Sequence, residues 1–202
     1  LPQPGGRRLE SHSLTLPWMG QYRAMIAALE RARALVAAHP CAAAFTGAGV
    51  STASGIPDFR SPSGIWSRYR PVPFQDFVLD ADARRRYWVY KKETYQDFAD
   101  ARPNPAHHAL ARMEKGGRLR AVITQNIDGL HQEAGSETVL ELHGTNRRVT
   151  CIRCAATWPA AEIQARLLAG CEMPECEHSG GILKSATVSF GHALPADVLN
   201  AA

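Results

Sequence analysis

Three short strings in this chain gather glycine and polar residues in ways that a purely structural loop does not need. Gly47-Ala48-Gly49-Val50-Ser51 follows the apolar run from Cys41 to Thr46. Glycines there let a backbone approach a pyrophosphate, and a helix opening after them presents free N–H groups. As a dinucleotide fingerprint it is incomplete: Thr52 stands where a third glycine is expected, and no acidic residue follows at the ribose-binding distance. Its continuation, Gly55-Ile56-Pro57-Asp58-Phe59-Arg60-Ser61, puts a carboxylate, a ring and a guanidinium side by side. Arg60 can pair with phosphate oxygens in bidentate fashion, and Asp58 needs hydrogen-bond partners if it lies in a cleft. The second string, Thr124-Gln125-Asn126-Ile127-Asp128-Gly129-Leu130-His131, follows the apolar Ala121-Val122-Ile123. The amides of Gln125 and Asn126 and the Asp128 carboxylate suit sugar hydroxyls and a carboxamide. The third, Glu141-Leu142-His143-Gly144, offers a histidine that can act as a general base near neutral pH. Taken singly, each has a plainer reading: a tight turn, a surface ion pair, an Asx-turn loop, a structural histidine. Together they sit after three apolar runs, and ligands in open α/β sheets bind at the carboxyl ends of strands.

The cysteines carry a fourth signal. Cys151-x2-Cys154 is followed, 16 residues later, by Cys171-x4-Cys176, and Cys41 stands alone. Four thiolates at this spacing suit one structural zinc ion; the plainer reading is four reduced core cysteines. An odd count with a CxxC pair argues for metal in a reducing compartment over a disulfide framework, so a cytoplasmic setting is expected.

The elements that must position these groups follow from periodicity. Gln21 to His39 reads as an amphipathic helix stopped by Pro40. Cys41 to Thr46 and Arg120 to Thr124 read as buried strands, and Val139 to Leu142 as a third. A helix is expected to open at Ser51 to Ser54, before an irregular stretch from Gly55 to Pro73. Ala81 to Ala101, Pro105 to Lys115 and Leu130 to Ala134 read as helices. Thr187 to Phe190 reads as a last strand, with a helix starting near Pro195. Strands alternating with helices imply an α/β fold with a parallel sheet, interrupted by the cysteine segment. The 202 residues suit one domain, and 45% apolar with 21% charged residues is a globular balance. A net charge of +4 with Arg84-Arg85-Arg86 as the only basic triple speaks against a nucleic-acid binder. No apolar run approaches the roughly 18 residues of a membrane span, and Leu1 to Leu16 lacks the apolar stretch of a secretory signal.

Taken in order, these motifs resemble the sirtuin family of NAD-dependent protein deacylases, in its bacterial form. Gly47 to Ser51 with Gly55 to Arg60 resembles the family's cofactor-binding loop, Thr124 to His131 its second motif, and His143-Gly144 its catalytic histidine. The cysteine module and Val188-Ser189-Phe190-Gly191 follow in family order. The resemblance runs from about Gln21 to Ala202. It implies that Gly47, Ala48, Gly49 and Ser51 lie along the phosphates of NAD, the co-substrate, with Asp58 and Arg60 beside them. Phe59 would cover the reacting ribose carbon. Gln125 would contact the ribose, and Asn126 and Asp128 would hold the nicotinamide end. His143 would be the base, with Asn126 beside it in the catalytic set. Val188, Phe190 and Gly191 would line the path of the acyl-lysine, the expected partner being acylated lysines of proteins.

The implied fold is a doubly wound, Rossmann-like parallel sheet over residues 20–146 and 184–202. A zinc module at 147–183 interrupts it, and a tail covers 1–19. Two departures from the family stand out. The fourth cysteine before Gly180-Gly181 is replaced by Ser179, so Cys171 is expected to complete the zinc set with Cys151, Cys154 and Cys176. The nucleotide-binding fold of the family also continues past Ala202, so the chain reads as truncated. The alternative to an active enzyme is therefore an impaired relative that binds acyl-lysine or ADP-ribose without turnover. In relatives that prefer acidic acyl groups a Tyr and an Arg stand three residues apart. The matching stretch here is placed at Trp88 to Lys91, which lacks that pair, so acetyl is expected over succinyl.

Overall fold

The computed structural model describes residues 17–39 and 41–202, so the expected tail over residues 1–16 and the helix stop at Pro40 lie outside the described residues. The chain divides into two units, residues 1–40 and 41–202. The described part of the first is one helix, α1 (Pro17–Ala38), so the last three residues of the expected tail are helical. Pro17 opens it, where a missing N–H costs nothing.

The second unit begins with β1 (Ala42–Thr46), followed by two single-turn 3-10 segments (Ala48–Val50 and Thr52–Ser54). Helices α2 (Ile65–Arg68), α3 (Phe74–Leu79), α4 (Ala81–Ala99) and α5 (Pro105–Lys115) come next, then β2 (Leu119–Thr124), α6 (Leu130–Glu133) and β3 (Val139–Glu141). The chain continues through β4 (Gly144–Cys151), β5 (Thr157–Pro159), α7 (Ala160–Leu168), β6 (Leu183–Thr187) and α8 (Ala196–Ala201).

The fold is α/β. Strands β1, β2 and β3 form a parallel sheet in that order, with Thr46 opposite Thr124 and Thr124 opposite Glu141. The register brings three carboxyl ends level, so the loops that follow all leave from one edge. The first residues beyond β2 and β3 stay tied to their neighbours: Gln125 N–H donates to Thr46 O at 3.0 Å and Leu142 N–H to Thr124 O at 2.9 Å. The helices are capped as their sequences suggest. The Asp80 carboxylate accepts from Asp82 N–H at α4, and Asn104 with His107 forms a capping box ahead of Pro105 at α5.

A second sheet is antiparallel, with β4 between β5 and β6. It starts at Gly144, directly after the expected base, and ends at Thr187, so it overruns the expected 147–183 insertion at both ends. One apolar core (Phe77, Trp88, Val149, Trp158, Ile163, Leu167 and Leu183 among its members) joins α3, α4 and α7 to this sheet. Another, with Ile56, Ile65, Phe98, Ile127 and Leu130, underlies the loops after β1 and β2.

Three expectations need correction. Strand β1 is not buried: its residues alternate between half-buried and exposed, because among the described residues it lies at the edge of its sheet. No α-helix opens at Ser51; the segment makes two tight turns that end in Gly55 at φ +87°. The last strand is Leu183–Thr187 rather than 187–190, and it pairs antiparallel with β4 instead of joining the parallel sheet. Its Lys184 and Ser185 are buried, which apolar patterning does not register; the Lys184 amine is satisfied by the carbonyls of Ser185 and Thr187.

Candidate active site

The loops leaving the parallel sheet close around a cavity of about 590 Å³, within the usual size of a small-molecule site. Ala48, Asp58, Phe59 and Arg60 come from the loop after β1, and Gln125, Asn126 and Ile127 from the loop after β2. His143 comes from the end of β3, and Val188, Phe190 and Gly191 from the strip after β6. Ten of the residues singled out in the sequence thus share one cavity: Ala48, Asp58, Phe59, Arg60, Gln125, Asn126, His143, Val188, Phe190 and Gly191. Gly47 and Gly49 belong to the same loop without lining the wall.

Ser51 and Asp128 stand behind that wall rather than in it. Ser51 is 1% exposed and Asp128 4%. The Ser51 hydroxyl donates to Asp128 Oδ2 at 2.7 Å and accepts from Asn126 Nδ2 at 3.0 Å. Asp128 Oδ1 accepts from Leu130 N–H at 2.9 Å. Both carboxylate oxygens are thus engaged within the protein, and this buried set fixes the side chain of Asn126. His107 Nδ1 accepts from Asn104 N–H, so its Nε2 carries the proton and faces Ser51 Oγ at 3.5 Å. Thr46 Oγ1 donates to Thr124 Oγ1 at 2.8 Å and so accepts from His131 Nε2 at 2.9 Å. Burial, then the neighbouring His107, pushes His131 down to about 4, so it stays neutral. Its Nδ1 is buried without a partner.

Asp58 and Arg60 form no ion pair with each other. Asp58 Oδ1 accepts from Arg60 N–H at 2.9 Å and Ser61 N–H at 2.7 Å, which folds the loop back on itself. The Ser61 N–H is the main reason the carboxyl is held below its ordinary value. Gly64 makes this possible, since a Cβ there would meet Asp58 Oδ1 at 2.7 Å.

His143 is oriented by its surroundings. Its Nδ1 lies 3.1 Å from Gln125 O, and a carbonyl can only accept, so Nδ1 carries the proton. The Nε2 lone pair is left free as an acceptor. Val188 N–H donates to His143 O at 2.9 Å, which ties the 188–191 strip to the histidine.

The sequence reading placed Phe59, Phe190 and the stretch Trp88 to Lys91 at the site but missed Trp66 and Tyr87, which complete the aromatic side of the cavity. Trp66, Tyr87 and Tyr90 line it with Phe59 and Phe190. Trp66 sits 5.4 Å from Phe59, 5.7 Å from Tyr90 and 6.1 Å from Phe190, between ring centroids. Tyr87, Tyr90 and Lys91 recur at i, i+3 and i+4 on α4, a spacing that marks one helix face and was the available signal. Trp88, expected at the acyl pocket, points into the core and is absent from the wall. Lys91 does line the cavity, 8% exposed, with Nζ donating to Asn146 Oδ1 at 2.8 Å. Burial, helped by Lys184, lowers its pKa to about 7.

Away from the cavity, the sulfurs of Cys151, Cys154 and Cys176 lie within 4.8 Å of one another. Cys171 is not among them. Gly181 makes room, because a Cβ there would meet Cys151 Sγ at 2.8 Å. Burial pushes the Cys151 thiol up, but hydrogen bonds from the Ser179 hydroxyl and from backbone N–H groups outweigh it, to about 6. Three sulfurs held this close fit a thiolate-bound metal. No described helix is long and apolar enough to cross a membrane.

The Sir2 family model matches residues 47–202. A Thermodesulfovibrio yellowstonii protein named NAD-dependent protein deacetylase is 51% identical over 153 residues, which cover 75% of this chain and 59% of that protein. NAD-dependent protein deacetylase 2 of Bradyrhizobium diazoefficiens is 41% identical over 190 residues, covering 81% of this chain and 70% of that protein. Among solved structures, a Sir2 complex with a p53 peptide and NAD+ superposes with a TM-score of 0.76 at 34% identity, over 86% of this chain and 69% of that one. A Sir2 variant with deacetylated p53 peptide and 3'-O-acetyl ADP-ribose gives 0.79 at 35% identity, over 86% and 70%. The chain therefore spans about three fifths to seven tenths of the length of these relatives.

Proposed function

The chain belongs to the Sir2 family, and from that membership we propose that it carries the acyl-transfer site of an NAD-dependent protein-lysine deacylase. The overall reaction moves the acyl group from lysine to ADP-ribose and releases nicotinamide, with NAD consumed as co-substrate. The observation that carries this reading is the free Nε2 of His143, facing a cavity built from the three loops and the 188–191 strip. In this reading His143 accepts a proton from the ribose hydroxyls, which lets that oxygen attack the acyl carbon; such help contributes about 10²–10⁴-fold. Ala48, Arg60 and the backbone at Gly47 and Gly49 face the phosphates. Asn126 holds the nicotinamide end, and Ser51 and Asp128 hold Asn126. Gln125 contacts the ribose. Phe59 and Trp66 keep water from the reacting carbon. Val188, Phe190 and Gly191 receive the acyl-lysine strand of a protein substrate.

The acyl group enters among Trp66, Tyr87 and Tyr90. The α4 face offers phenols and the Lys91 amine, which is bonded to Asn146, in place of a guanidinium fork. Acetyl is accordingly the preferred group. One zinc ion is structural, held at Cys151, Cys154 and Cys176, and takes no part in the transfer. The reduced thiol set suits a cytoplasmic setting.

The test is kcat/KM on matched acetyl- and succinyl-lysine peptides with and without NAD. NAD-dependent removal of acetyl, faster than of succinyl, is expected. NAD-independent removal would contradict the activity, and a succinyl preference would contradict the acyl assignment.

A further inference from the structure

Three thiolates do not complete a tetrahedral metal site. The residue closest to filling the gap is not the remaining cysteine of the module. Ser179 Oγ lies 3.4 Å from Cys151 Sγ and 3.4 Å from Cys154 Sγ, while the sulfurs of Cys154 and Cys176 are 3.6 Å apart. With metal–sulfur distances of about 2.3 Å and metal–oxygen distances of about 2.0 Å, a tetrahedron has sulfur–sulfur edges of about 3.8 Å and sulfur–oxygen edges of about 3.5 Å. The observed separations are close to those edges with one oxygen corner.

The chain holds Ser179 there. Arg153 donates to Ser179 O at 2.9 Å, Gly181 N–H to Ser179 Oγ at 3.3 Å, and Gly180 N–H to Cys176 O at 2.8 Å. Gly180 takes φ +63° to close the turn. The Cys171 sulfur is not in the cluster, and its backbone is tied to α7 instead, with the Cys171 N–H donating to Arg166 O at 3.0 Å. Arg166 also bonds Glu175 O at 2.9 Å and the Glu177 carboxylate at 3.1 Å, fastening the segment that separates Cys171 from the cluster.

We propose that this chain binds its metal through the thiolates of Cys151, Cys154 and Cys176 and the hydroxyl oxygen of Ser179, and that Cys171 is not a ligand. The proposal rests on the zinc reading above. A neutral hydroxyl is a weaker donor to zinc than a thiolate, and it leaves less negative charge on the site. The metal is therefore held less tightly than by four thiolates, with an exchangeable corner at Ser179.

The test is titration of the metal-free chain with Co²⁺, reading the near-ultraviolet sulfur-to-cobalt charge transfer, whose intensity scales with the number of thiolates. Zinc competition then gives affinity. The wild type is expected to show three thiolates, and Cys171→Ala to leave spectrum and affinity unchanged. Ser179→Cys is expected to add a fourth thiolate and tighten zinc by at least roughly 10-fold, since groups that only support the ligands already shift affinity by that much. Loss of one thiolate's intensity in Cys171→Ala, with metal still bound, would overturn the Ser179 assignment alone. Failure of both the wild type and Ser179→Cys to bind Co²⁺ would overturn the metal site itself.

Discussion

The Nδ1–H of His143 and the carbonyl of Gln125 set a tautomer, and the tautomer decides which nitrogen can take a proton. His143→Ala removes that acceptor and leaves Ala48, Arg60 and Asn126 where they are. We expect kcat to fall by about 10²–10⁴-fold, with NAD affinity by calorimetry changed little; near-normal turnover would remove His143 from the role of base. Lys91 makes a different prediction. Its pKa of about 7 in the folded protein lies below the ordinary lysine value of 10.5, with burial as the main cause. Between those values the unfolded chain binds more protons than the folded one, so this residue makes stability rise with pH through that window. Below about pH 7 both states are charged and the burial cost is felt in full. Lys91→Met therefore flattens the rise in Tm between about pH 7 and 9, leaving a smaller slope from Lys184, whose pKa falls to about 8 for the same reason. An unchanged slope would mean that the Lys91 amine stays hydrated.

Among the elements, the junction of β3 and β4 is the most constrained. Gly144 sits at φ +69°, and a Cβ there would run into the carbonyl oxygen of Ala186 on β6. Gly144→Ala is expected to lower stability by about 1–3 kcal/mol from backbone conformation alone, and to displace His143, so activity falls further than stability explains. Denaturant unfolding and kcat on the folded fraction separate the two effects. In the proposed reading, the antiparallel sheet is the element that depends on metal. Its β4 carries Cys151, and Cys154 lies in the turn toward β5. Chelation is expected to raise amide exchange in β4, β5 and β6 while β2 keeps its protection; equal loss in both sheets would contradict a local structural role. The parallel strands and α4 and α5 were legible because apolar runs and caps announce them. Strand β6 was not, because its buried Lys184 and Ser185 look like surface residues until the carbonyls that satisfy the lysine are in place. The turns after β1 were not either, since Ser51 suits an N-cap but spends its hydroxyl on Asp128.

Over the whole molecule, the cavity's polar half was legible in the sequence, and its aromatic half only in part, through Phe59, Phe190 and the stretch Trp88 to Lys91. Glycines, amides and a histidine at strand ends are chemically unusual and stand out in one dimension. Trp66 and Tyr87 look like ordinary core until α2 and α4 bring them together. The same limit bears on the proposed fourth zinc corner: spacing favours Cys171, while the fold sets Ser179 Oγ 3.4 Å from the sulfurs of Cys151 and Cys154. What unites the two halves is the claim that one cavity handles NAD and an acyl-lysine together. The direct measurement is mass spectrometry of the products formed from an acetyl-lysine peptide and NAD by the protein and by its His143→Ala variant. Nicotinamide, deacetylated peptide and O-acetyl-ADP-ribose in equal amounts from the wild type, and no O-acetyl-ADP-ribose from the variant, is the predicted result. Free acetate with NAD intact, or peptide that gains ADP-ribose and keeps its acetyl group, would contradict it.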